Sequence, residues 1–141
     1  MWLWKRKKKR KTPDLRQSFL LSHRGGEIWI SCIDNLDDDY SLIKEKVLRT
    51  EQLISTPTHS SYVLYHLDGT DITFETAELI IDSLIRSQKF VSKLALVGVT
   101  RKGKANINKY VKSTGTDFKI TSKYFSSMDI AKDWLVREGH Y

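Results

Sequence analysis

One cysteine, two prolines and seven glycines stand among 141 residues. No apolar run approaches the roughly 20 residues that a membrane-spanning helix needs. The lone Cys32 excludes a disulfide framework within the chain and a cysteine-based zinc cluster. So few prolines and glycines exclude a low-complexity chain. His23, His59, His66 and His140 are scattered, without the close spacing of a typical metal motif, and no metal or cofactor is expected. Residues 18–141 lack a charge of one sign as well, with sixteen basic and sixteen acidic side chains.

What is present is ordinary for a globular domain: 40% hydrophobic and 29% charged residues, in a length that suits one domain. The net charge of +7 belongs to the first 17 residues, where eight basic side chains face Asp14 alone. Trp2 and Trp4 precede seven consecutive basic residues, Lys5, Arg6, Lys7, Lys8, Lys9, Arg10 and Lys11. So dense a block repels itself and is expected to be solvated, which makes residues 1–15 a flexible tail and residues 16–141 a single domain. No secretory signal fits, because the basic block follows the apolar residues, and a cytoplasmic protein is expected. The tail has three readings. It is a solubilising arm, an arm on the inner face of an anionic membrane, where indoles favour the interface and lysines the headgroups, or, with less support, a nucleic-acid contact.

Beyond the tail the pattern alternates strand and helix. Arg16–Ser22 and Glu27–Ile33 flank Gly25-Gly26, which predicts a hairpin whose corner is the glycine pair. In the second strand Ile28, Ile30 and Cys32 share one face, Trp29 and Ile33 the other, so both faces are covered and Cys32 is expected to be a buried, inert thiol. Asp37-Asp38-Asp39 opens a helix with Tyr40, Ile43, Val47 and Ile54 on one stripe; three carboxylates suit the positive end of its dipole. Tyr62–Leu67 is a strand, and Asp68–Asp71 a turn. Thr73 is placed as N-cap of a second helix carrying Phe74, Ala77, Ile81, Leu84 and Ile85. Leu94–Val99 reads as a strand covered on both faces. Ile107, Tyr110 and Val111 mark a third helix ending near Gly115, Phe118–Phe125 a last strand, and Ser126–Asp129 a capping box for a fourth helix. The order β-β-α-β-α-β-α-β-α predicts an α/β fold with a mostly parallel sheet of four to five strands and an antiparallel first hairpin.

Tyr62-Val-Leu-Tyr-His-Leu-Asp68 running into an amphipathic helix, Lys93-Leu-Ala-Leu-Val-Gly98, and Phe125 followed by Asp129-Ile-Ala-Lys-Asp-Trp-Leu135 occur in this order. Over about residues 18–141 the chain resembles STAS domains of the SpoIIAA-like branch. The resemblance implies a non-enzymatic regulatory or protein-interaction module; some relatives bind nucleotides, others apolar ligands. In anti-sigma-factor antagonists an Asp-Ser pair follows this strand and its serine is phosphorylated. Here Thr76-Ala77 falls at that place, and Ala77 has no hydroxyl. Thr70 and Thr73 carry hydroxyls nearby, with turn and N-cap as their structural roles.

Gly98-Val-Thr-Arg-Lys-Gly103-Lys104 matches the spacing of a Walker A loop between a strand and a helix. Ala105, however, replaces the hydroxyl residue that would hold magnesium, so nucleotide hydrolysis is not expected. Ligands of open parallel sheets sit beyond the carboxyl ends of the strands. Asp68, Thr70, Asp71, Thr73, Thr100, Arg101, Lys102 and Lys104 are placed at that edge as the candidate binding surface. The leading expectation is an interaction module with an unidentified protein partner. The alternative is a peripheral membrane protein that takes an apolar or lipid ligand in its domain and anionic lipid on its tail.

Overall fold

A computed structural model describes residues 16–137 of the chain. The tail residues Trp2 to Lys11 lie outside the described residues. Five strands form one sheet in sequential order: β1 (Phe19–His23), β2 (Gly26–Cys32), β3 (Ser61–His66), β4 (Val91–Val97) and β5 (Ser122–Phe125). β1 runs antiparallel to β2 and the remaining pairs are parallel, so the α/β architecture expected from the sequence is the one observed. Helices α1 (Tyr40–Ile54), α2 (Phe74–Ser87) and α3 (Arg101–Ser113) make the parallel crossovers; α4 (Met128–Val136) follows β5.

Sequential order has a direct consequence. Successive crossovers of one hand carry their helices to the same side of the sheet. The main core accordingly lies under α1–α3, where Val63, Tyr65, Leu94 and Leu96 meet Ile43, Val47, Ile80, Ile81, Leu84 and Ile107. The opposite face is covered by α4: Ile28, Ile30, Leu64, Ala95 and Val97 pack against Ala131 and Leu135. Phe125 tilts against Trp134 at 5.4 Å between ring centroids. Lys93 ties down the end of α4, its Nζ donating to the carbonyls of Trp134 (2.9 Å) and Arg137 (3.1 Å).

Several local expectations need correction. The corner residues of the first hairpin are Arg24 and Gly25, both at positive φ, while Gly26 opens β2 opposite His23. Among the three aspartates, Asp39 caps α1 by accepting from Leu42 N, whereas Asp37 forms an isolated bridge to Thr70. The cap of α4 is Ser127, not Ser126; it accepts from Ile130 N at 3.4 Å. β5 is four residues long, shorter than Phe118–Phe125, although Ile120 ahead of it reaches the main core. Phe74 is 40% exposed and leaves the α2 stripe to meet Tyr110 edge-on.

A polar network links α1 to α2 beside the core. Glu51 accepts from Ser83 Oγ (2.8 Å) and binds Arg86 through Nε (3.0 Å) and Nη2 (2.8 Å). Burial by itself raises the Glu51 pKa, but hydrogen bonds from Arg86 and Ser83 and the Arg86 charge outweigh it, so the carboxyl titrates below its ordinary 4.5. The buried Tyr65 hydroxyl is pushed up by desolvation and by the nearby Glu51 charge. A depressed carboxylate adds stability at pH above its unfolded value, and this is lost as pH falls through the lowered folded value. Acid unfolding of Glu51→Gln should therefore show a shallower loss of stability below about pH 4.5 than the parent chain. Equal slopes would mean that the network does not hold in solution.

Candidate functional site

The carboxyl ends of β2, β3, β4 and β5 line up along one edge, and backbone hydrogen bonds lock the loops that follow them. Asn35 N donates to Asp68 O (2.7 Å), Leu67 N to Val97 O (2.8 Å) and Gly98 N to Phe125 O (2.9 Å). Asp68, Asp71, Thr73, Thr100, Arg101, Lys102 and Lys104 are exposed. Thr73 caps α2 by accepting from Thr76 N (3.1 Å), and Thr100 caps α3 by accepting from Gly103 N (3.0 Å).

Thr70 departs from the expected surface. It is only 3% exposed; its hydroxyl donates to Ile33 O and accepts from Leu36 N at 3.2 Å. It stitches the loop after β3 to the loop after β2, and a phosphate there would break both bonds. Thr76 and Ala77, in the first turn of α2, are buried on its inner side.

The Walker-like spacing acquires a different meaning. Only Gly98, Val99 and Thr100 separate β4 from α3, so Gly103 and Lys104 lie in the first turn of the helix. No loop remains to wrap a phosphate chain. A Cβ on Gly103 would stand 2.9 Å from Val99 Cγ1 and 3.2 Å from Ile72 Cβ, so this glycine lets α3 press against the loops beneath it.

A shallow cleft of about 460 Å³ opens at the edge, lined by Asp68, Gly98, Val99, Lys104, Tyr124, Phe125 and Ser126. Lys104 Nζ lies 5.3 Å from the centre of the Tyr124 ring, and the Tyr124 hydroxyl donates to Asn108 Oδ1 at 3.2 Å. Burial pushes the Tyr124 pKa up to about 12, which keeps the phenol protonated at neutral pH. A larger open cleft of about 640 Å³ lies at the other end of the strands. It is lined among others by Leu20, Trp29, His59 and Tyr62, with Glu27 as its one charged carboxylate.

A second cluster at the edge escaped the sequence reading. Asp34, just past β2, is buried, and Arg16 Nη1 stands 2.7 Å from its Oδ1 while Arg16 Nη2 donates to its carbonyl at 2.7 Å. His66 lies between two carboxylates, Nδ1 at 3.5 Å from Asp34 Oδ1 and Nε2 at 3.9 Å from Asp68 Oδ2. Cys32 is the register partner of His66 and is half-buried, less enclosed than expected. The available signal was position: Asp34 and Asp68 each follow a buried strand by two residues, at the end where polar residues of parallel sheets collect. Arg16, counted by its charge with the tail, gave no sign of its partner.

Among the described residues no group of three or more His, Cys, Asp or Glu side chains is placed to hold a metal ion. No helix among them is long and apolar enough to cross a membrane. Comparison with known families, with characterised proteins and with solved structures gives no match to this chain.

Proposed function

We propose that the chain is a non-enzymatic regulatory or interaction module of the STAS, SpoIIAA-like kind, binding a protein partner along the edge formed by Asp68, Asp71, Thr73, Thr100, Arg101, Lys102 and Lys104. The observation that carries this reading is the sequential strand order. Open α/β sheets make their ligand crevice where the strand order reverses and helices diverge to opposite faces. Here α1–α3 stay on one face and there is no reversal, so apart from the shallow cleft between Asp68 and Lys104 the edge presents an open surface. That surface is held by the loop-to-loop hydrogen bonds described above and carries both signs of charge. Rigid, charged surfaces of this type give specificity to a protein contact with little ordering cost on binding. Ala77 in place of the family's phosphoacceptor serine means that the module works without that switch.

The alternative, a peripheral membrane protein with an apolar ligand in its domain, gains its support from the charge of the tail. The ligand half has less, because the edge cleft is lined by Asp68, Lys104 and Ser126 as well as by apolar groups. Site-specific photo-crosslinking from the edge in the native cell tests the leading reading; its outcomes close the Discussion.

A further inference from the structure

The zero net charge of residues 18–141 conceals a segregation. Helix α3 carries five basic residues, Arg101, Lys102, Lys104, Lys109 and Lys112, and no acidic one. All five are exposed, while Gly103 and Ile107 on the opposite side of the helix are buried. None has a salt-bridge partner among the described residues. The outer face is otherwise made of small or neutral side chains: Ala105, Asn108 and Ser113. Arg101 and Lys112 stand about 17 Å apart along the axis, and at about 100° per residue the five charges spread over nearly half of the circumference, with Lys102 and Lys104 at its two margins.

We propose that the outer face of α3 is a docking surface for an anionic lipid bilayer. Five exposed cations on the outward side of one helix, none in an ion pair among the described residues, are complementary to a surface of negative headgroups, and each adds about fivefold to partitioning near such a surface. The alternative polyanion, single-stranded nucleic acid, is held by basic grooves interleaved with open aromatic faces for base stacking. The rings that flank α3 are not presented that way. Lys109 Nζ stands 5.5 Å over Phe74 and Lys104 Nζ 5.3 Å over Tyr124. The chain also carries a second basic element, Lys5–Lys11, and basic residues near an anionic surface add their attractions at about 1 kcal/mol each. Arg101, Lys102 and Lys104 belong to the proposed partner-binding edge as well, so the two readings compete for the first turn of α3; Lys109 and Lys112 lie outside that edge and separate them.

The test is cosedimentation of the full chain, and of full-length Lys109→Gln/Lys112→Gln, with phosphatidylcholine vesicles that contain or lack phosphatidylserine. Neither substituted residue belongs to the proposed partner-binding edge. Both are exposed, and the Lys109 contact with Phe74 is worth no more than about 1 kcal/mol, so the thermal melt should move by a few degrees at most. The parent chain should bind only the anionic vesicles, less at high salt, and the double variant should partition about 25-fold more weakly. Equal partitioning of the two chains would overturn the proposal and leave any membrane binding to the tail. Failure of both chains to bind anionic vesicles would overturn it too. So would an α3-dependent affinity for a single-stranded oligonucleotide that exceeds the affinity for vesicles.

Discussion

Gly98→Ala should lower the unfolding free energy by about 3 kcal/mol, the upper range for a single substitution that adds one methyl. Two effects combine. Gly98 has φ +85°, a left-handed conformation that costs an alanine about 1–2 kcal/mol. The new Cβ would also stand 2.8 Å from Asp68 Cα and 2.7 Å from Asp68 Oδ1. The carboxylate could swing away, but the Cα could not, because the Asp68 carbonyl holds Asn35 N at 2.7 Å and fixes the loop. Gly25→Ala supplies the control. Gly25 also has φ +85° but meets nothing within 4 Å, so only the conformational cost, about 1 kcal/mol, should appear. Urea unfolding of the two variants measures the difference. Equal losses would mean that the loops after β3 and β4 are not in contact and that the edge is looser than described.

Leu135→Ala should cost about 3 kcal/mol, within the usual range for a buried leucine. Leu135 is fully buried, and among the described residues α4 is the only helix packed on its face of the sheet. Nine residues do not sustain a helix in water without tertiary contacts. Shortening this side chain therefore weakens the helix together with the cover of Ile28, Ile30 and Leu64. On the same helix Ile130 is 61% exposed, and Ile130→Ala should change stability by less than about 0.5 kcal/mol. Hydrogen exchange should show the amides of α4 opening first in Leu135→Ala. If both substitutions cost the same, α4 is not docked through this face.

The strands and helices were legible because their periods are. Leu94–Val99 reads as a strand covered on both faces; the observed strand is Val91–Val97, with Leu94 and Leu96 in the main core and Ala95 and Val97 in the core under α4. Thr73 was legible as a cap because a hydroxyl ahead of an amphipathic run satisfies a free backbone donor, and Thr76 N is that donor. Corners were less legible. Arg24 takes positive φ, which a residue with a Cβ seldom does, so the glycine pair pointed one residue too far along. Ser126 and Ser127 are equivalent by composition, and only the backbone angle at the start of α4 decides between them.

The edge was legible in outline. Residues after parallel strands collect at one end by topology, and seven of the eight expected there, all but the buried Thr70, are exposed charged or hydroxyl residues. Thr70 was misplaced because a buried hydroxyl looks the same in sequence as an exposed one; its partners, Ile33 O and Leu36 N, are more than thirty residues away in the chain. Arg16, Asp34 and His66 were missed for the same reason. The Gly98–Lys104 spacing misled in the other direction, since the glycine at 103 serves close packing against Val99 and Ile72. Charge segregation on α3 was hidden by summing over the domain, because a net charge says nothing about which helix face carries it.

The most direct measurement is photo-crosslinking in the native cell, with a benzophenone side chain placed at Thr73 or Lys102 on the edge, or at His59 at the opposite end of the strands. All three positions are exposed; at Thr73 the probe also removes the N-cap of α2, a loss of about 1 kcal/mol that a thermal melt of that variant measures. An interaction module that works through the edge should give a discrete protein adduct from Thr73 and Lys102 and none from His59. Adducts from His59 alone, or the same pattern from all three positions, would contradict it.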